Sequence, residues 1–317
     1  MTFDKWAVPV RRAGWMGLLA LLAACGSAPV KGPDTPPSTP VVTPEAATRA
    51  PRLGLALGGG AARGFAHVGV IQVLEQNGLR PDLVTGTSAG SLVGALYASG
   101  KTAAELEATA LSMEEATLTD WALPIWGRGM LRGEALTRFV RQGVGGKVLE
   151  DMRLPLGVLA TDLGTGQGVL FRRGDTAQAV RASSAVPGVF APVRIAGRDY
   201  VDGGLVAPVP VRYAREMGAE VVLAVDISSA LDGNAATGSV QILLQTFAIM
   251  GQSINRNELA GADVLVVRPA LVGVSGADFS ARLRSIEAGR AAMQAALPQL
   301  RSMLAKRLPV AAGTHRP

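Results

Sequence analysis

Pro81-Asp82-Leu83-Val84-Thr85-Gly86-Thr87-Ser88-Ala89-Gly90-Ser91-Leu92-Val93-Gly94-Ala95-Leu96-Tyr97-Ala98-Ser99-Gly100 divides into a short apolar run, a glycine-flanked turn and a helix-compatible run. Leu83-Val84 reads as a buried strand, Ala89 to Ser99 as a helix, and Gly100 as its cap. Between them lies G-x-S-x-G, the nucleophile-elbow pattern. The small residues Gly86 and Gly90 permit a sharp strand-to-helix turn that lifts the Ser88 oxygen to a helix N-terminus. The same letters also suit a plain turn capped by Ser88, so the pentapeptide needs a chemical partner elsewhere in the chain.

One βα unit upstream, Leu53-Gly54-Leu55-Ala56-Leu57 reads as a buried strand. It runs into Gly58-Gly59-Gly60-Ala61-Ala62-Arg63-Gly64 and then an amphipathic helix from Phe65 to Gln76, closed by the Asn77-Gly78 turn. A glycine-rich loop between strand and helix offers backbone N–H groups to an anion. That anion is a dinucleotide pyrophosphate or a tetrahedral oxyanion. The dinucleotide spacing fails, because Arg63 stands where the third glycine belongs. An oxyanion hole fits better, since a serine elbow follows.

Together, L-G-G-G-A-A-R-G-F-A-H-V-G-V and G-T-S-A-G resemble the bacterial branch of the patatin-like phospholipase family. The resemblance implies a Ser–Asp dyad with the aspartate in a D-G-G motif, which Asp202-Gly203-Gly204 supplies. Arg181 to Val193 also resembles the stretch preceding that aspartate, and the three motifs cover roughly residues 52–215. The implied oxyanion hole is the loop Gly58, Gly59, Gly60 and Ala61, with Arg63 orienting it or attracting a phosphate. One departure is Ala207-Pro208, where many relatives carry an asparagine.

Composition supports a dyad on separate grounds. The chain has two histidines, His67 and His315. A triad in α/β-hydrolase order needs a histidine after the acid, and only the tail residue His315 lies there. His67 reads as a helix-start residue packing or bonding near the glycine loop. Asp202 is then the best general base, delivered by the second strand of a hairpin over 193–202. Asp226, at the end of a strand over 220–227, is a weaker rival without a glycine turn. Asp162, in A-T-D-L-G-T-G after the strand 156–160, matches a recurring family motif and reads as a structural turn residue. Residues 100–146, with Trp121 and Trp126, read as an extra helical layer or as an apolar lid for acyl chains.

The rest of the chain sets the surroundings. Residues 1–24 form a targeting segment: Lys5, Arg11 and Arg12 precede an apolar run too short to span a bilayer. Leu22-Ala23-Ala24-Cys25 resembles a bacterial lipobox, implying a lipidated Cys25 and, from Gly26-Ser27, an outer-membrane destination in a diderm. Residues 25–51 read as a Pro-rich tether, reaching several tens of ångströms at ~3 Å per residue. The sole cysteine excludes an intrachain disulfide and a Cys-based zinc cluster. The formal charge of +6 is scattered, which argues against nucleic acid and allows mild attraction to anionic lipid.

The expected fold is one three-layer α/β/α domain over 52–306 with a central, mostly parallel sheet. It ends in a helix over 279–304 that Pro298 should kink or break, followed by a disordered tail over 307–317. The expected activity is hydrolysis of fatty-acyl esters of phospholipid or lysophospholipid through Ser88 and Asp202, with no metal or cofactor. The alternatives are a soluble-ester hydrolase or acyltransferase on the same dyad, and a non-enzymatic lipid-binding protein of the envelope.

Overall fold

The computed structural model describes residues 49–114, 120, 130–229 and 238–306, all within the compact unit Thr48–Pro317. The targeting segment, Cys25, the tether, Trp121, Trp126 and the tail after 306 lie outside the described residues.

Continuous apolar runs place the central strands. Strand β1 (Leu53–Leu57) is buried along its whole length and pairs in parallel with β2 (Leu83–Thr87) on one side and β7 (Val221–Val225) on the other. A strand enclosed on both faces has no polar side to show, hence the unbroken run. Beyond β7 lies parallel β8 (Val264–Val267), and beyond β2 lies parallel β3 (Leu156–Asp162). Alternate residues serve opposite layers. Leu53, Leu55 and Leu57 pack under α1 (Phe65–Gln76), α2 (Ala89–Ala98) and α8 (Arg282–Lys306). Ala56, Val222 and Ala224 pack on the other face with Val211 and Ala214 of α6 (Val211–Glu216). The result is a three-layer α/β/α fold with a mostly parallel sheet.

The antiparallel strands sit where the chemistry is. β3 pairs with β2 over Leu156–Leu159 and with β4 (Gly168–Phe171) over Val158–Thr161, so those two partners occupy opposite edges of β3. The hairpin strand β6 (Arg198–Asp202) pairs with β3 from Ala160 to Asp162. β4 already holds the other edge there, so β6 takes over the edge that β2 vacates. Asp202 faces Ala160 in the register position directly after Thr87 faces Leu159. Two strands far apart in sequence therefore end head to head, with Ser88 and Asp202 at the junction. The hairpin itself turns through Ala196 (φ 47°) and Gly197 (φ 81°), with β5 (Val193–Ile195) as the other arm.

Four further helices complete the described body: α5 (Thr176–Ser183) packs on β3, α4 (Glu134–Gly143) on α5 and α3 (Ala103–Ser112) on α1, while α7 (Ser239–Glu258) leads into β8. Helix α8 does not end at Pro298 but runs through it to Lys306. The carbonyl that Pro298 leaves without an amide partner is that of Gln294, four residues back, and both residues are exposed, so water can take it.

Candidate active site

Ser88 joins β2 to α2 with φ 52° and ψ −122°, a backbone shape open to glycine and strained for serine. The chain reaches it because its neighbours are glycines. A Cβ on Gly86 would come within 2.6 Å of Ser91, and one on Gly90 would strike the carbonyls of Leu57 and Gly58. Behind the turn, the Ser88 N–H donates to the Ser183 hydroxyl at 2.9 Å, and Ser91 donates back to the Ser88 carbonyl. Sequence reasoning gave Ser183 no role. Its only signal was membership of the Arg181–Val193 stretch.

Asp202 is almost wholly buried at 7% exposure. Its Oδ1 accepts the Gly204 N–H at 2.7 Å, and its backbone is pinned by the Thr161 hydroxyl and by the Ala185 carbonyl. Burial pushes the carboxyl up to about 6, against the Gly204 N–H and the Ser88 side chain, whose hydrogen bonds favour the charged form. The Ser88 side chain is thus near enough to the Asp202 carboxylate to favour its charged form. The close backbone approach that Gly203 makes to the Leu159 carbonyl leaves no room for a side chain there.

The glycine loop is held from three sides. The Gly58 N–H donates to Val225 and the Gly59 N–H to Pro208, while the Ala62 N–H donates to Gly276 and the Arg63 N–H to Gly60. Those bonds narrow the expected oxyanion hole. The N–H groups of Gly58, Gly59 and Arg63 are spent on the protein, which leaves those of Gly60 and Ala61 as the loop donors that none of these bonds claims. The Arg63 guanidinium donates from Nε to the Ile227 carbonyl at 2.9 Å. The Ala207-Pro208 segment, which departs from the family pattern, acts through its carbonyls: Ala207 accepts from the Thr87 hydroxyl and Pro208 from Gly59.

The other acid and base candidates fall into structural roles. His67 is fully buried, and its Nε2 lies 2.8 Å from the Gly58 carbonyl, so Nε2 carries the hydrogen. Burial lowers the imidazole to about 4, opposed by that carbonyl, and the ring is neutral at physiological pH. It supports the loop from beneath. Asp162 folds its own turn: Oδ1 accepts the N–H groups of Gly164 and Thr165, and Oδ2 pairs with Arg198 at 2.9 Å. Asp226 pairs with Arg268 and accepts the Ser228 N–H.

A cavity of about 240 Å³ opens beside Ser88 and Ala61. It runs between α1, α2, α3 and α4 and is lined by Phe65, Leu92, Leu96, Leu106, Leu136 and Phe190, among others, almost all of them apolar. Its volume lies just under the usual 300–1,000 Å³ of ligand pockets, which makes it a narrow slot. The helices of the 100–146 region are therefore both a layer on the core and a wall of the cavity. Asp120 fixes that wall by accepting the N–H groups of Gly133 and Ala135 at the start of α4.

An elbow serine beside a buried aspartate, a clamped glycine loop and an apolar slot form the arrangement expected of a serine acyl hydrolase. The profile of the patatin-like phospholipase family matches residues 55–215, and the chain belongs to that family. An uncharacterised NTE family protein of Mycobacterium tuberculosis is 39% identical over 186 residues, which is 58% of this chain and 51% of that protein. The human patatin-like phospholipase domain-containing protein 6 is 34% identical over 185 residues, covering 56% of this chain and 13% of its own length. The chain thus spans about half the length, or less, of these curated relatives. VipD from Legionella pneumophila shares the fold, with a TM-score of 0.54 at 13% identity over 79% of this chain and 67% of VipD.

Proposed function

We propose that this chain hydrolyses fatty-acyl esters of phospholipids or lysophospholipids through Ser88 and Asp202. The observation that supports the reading is an apolar slot lined by a strained serine that lies beside a buried carboxylate. An acyl chain lying in the slot brings its ester carbonyl to Ser88. Asp202 takes the hydroxyl proton as Oγ attacks, and the N–H groups of Gly60 and Ala61 receive the oxyanion, each donor supplying on the order of 3 kcal/mol in the transition state. Asp202 then gives its proton to the leaving alcohol. Water, deprotonated by the same carboxylate, releases the fatty acid from the acyl-serine. The scheme uses no metal or cofactor. Lipidation of Cys25 would confine this chemistry to the bacterial envelope, at the outer membrane of a diderm.

The test is hydrolysis of phospholipid, lysophospholipid and short acyl esters by the wild type and by Ser88→Ala and Asp202→Ala. Each substitution is expected to lower kcat by at least ~10³-fold while the fold survives. Unchanged hydrolysis in either variant would sink the dyad.

A further inference from the structure

Helix α7 is uncharged from Ser239 through Asn255, and its first half interleaves exposed apolar residues with Gln241, Gln245 and Thr246. Farther along, the residues facing the body (Gly251, Asn255 and Glu258) are buried. The same side nearer the N-terminus carries Val240 and Leu244, which are 39% and 43% exposed. The outer side carries Ile242 and Ile249, at 53% and 52%. The first half of the helix thus exposes Val240, Ile242, Leu244, Ile249 and Met250 together, with uncharged polar residues between them. A contiguous exposed apolar surface of this kind marks an interaction site.

Two features say what it meets. The helix borders the slot, because Leu243 packs against Gly188, which lies between the slot residues Val186 and Phe190. Its charge is graded along the axis rather than around it. Arg256, exposed, follows Met250 by six residues, or ~9 Å at 1.5 Å per residue. Arg268 lines the same groove as Arg256 but is paired with Asp226. An exposed apolar stretch with an arginine ~10 Å beyond Ile249 along the helix suits insertion beneath anionic headgroups, where an apolar face sits ~5–10 Å deep. The only carboxylate on α7 is Glu258, buried beside Arg212. Among the described residues no helix is long and apolar enough to cross a membrane, so the helix would dip rather than span.

We propose that the N-terminal half of α7 is an interfacial anchor that enters an anionic lipid surface and holds the mouth of the Ser88 slot against it. This deepens the lipid-ester reading and rests on it for the orientation of the slot. The experiment uses the full-length chain carrying Cys25→Ser, so that no acyl anchor contributes, in flotation with phosphatidylcholine vesicles made with and without phosphatidylglycerol. Replacing Ile242 and Ile249 together by Glu should weaken vesicle binding by at least ~tenfold. Hydrolysis of a short-chain soluble ester should be unchanged. Arg256→Gln should weaken binding only to the phosphatidylglycerol vesicles. Full vesicle binding by the double variant would overturn the proposal, as would a dimer-to-monomer shift in sedimentation with vesicle binding intact. A parent chain that floats with vesicles but cleaves no acyl ester would refute the hydrolase reading and leave the anchor standing.

Discussion

Ser88 keeps its side chain at a cost, because φ 52° suits a residue without Cβ. Strain of this kind costs about 1–3 kcal/mol. Ser88→Gly should therefore be inactive yet more stable than Ser88→Ala by about 1 kcal/mol or more, measured by urea unfolding. Asp202 contributes the pH dependence. As a base it must be ionised, so kcat/KM on a soluble ester should rise through about pH 6 and level off above it. A limb there is easily mistaken for histidine, but burial holds His67 near 4. His67→Gln should leave the limb in place, and its disappearance would reassign the base. The stability sign is opposite. The folded pKa of Asp202 lies above its ordinary value of 3.8, so its contribution is fully present below about pH 4 and lost as pH rises through about 6. The difference is about 3 kcal/mol, and Asp202→Asn should remove that part of the pH dependence of unfolding. Ser88 and its glycines were legible as an elbow pattern, and Asp202 through the family resemblance of its D-G-G motif and the scarcity of histidine. Ser183 was not, because a hydroxyl that accepts one N–H leaves no pattern among other small residues. The division of labour within the glycine loop was equally hidden, since it depends on carbonyls supplied by Val225 and Pro208.

The elements themselves followed from their patterns. The run 53–57 became β1, Phe65–Gln76 became α1, and the hairpin over 193–202 closed as its turn chemistry implied. What pattern could not give was adjacency. That β6 succeeds β2 along one edge of β3 is a property of register, and it alone turns two distant motifs into one site. Pro298 shows the reverse error, where a local rule yielded to exposure of the freed carbonyl. The contact between α1 and α8 is tighter than either sequence suggests. A Cβ on Gly69 would strike the Ile286 carbonyl, and one on Gly289 the Ala66 carbonyl. Overpacking of this kind costs typically 1–3 kcal/mol. Gly69→Ala should therefore lower Tm by several degrees, at about 2–4 °C per kcal/mol for a domain of this size. An unchanged Tm would mean that the helices separate freely.

At the scale of the molecule, the whole chain carries a formal charge of +6, which favours an anionic surface. Lipidated Cys25 and the exposed end of α7 would form a two-signal attachment, each insufficient alone for firm binding. Wild-type protein in cells should then resist extraction by high salt, while Cys25→Ser should shift to the salt-extractable fraction. A Cys25→Ser protein that remains wholly salt-resistant would remove the lipid anchor from the scheme.

The clamp on the glycine loop carries one more implication. The family-matched stretch 55–215 holds both Ser88 and Asp202, yet the carbonyls of Val225 and Ile227, which seat Gly58 and Arg63, come from β7 and the residue pair after it. β1 would also lose its neighbour on that side. A fragment ending at residue 215 would contain every motif letter and still leave the Gly58 and Arg63 anchors of the loop without partners. Competence arrives late in the chain, with a strand that contributes no reacting atom.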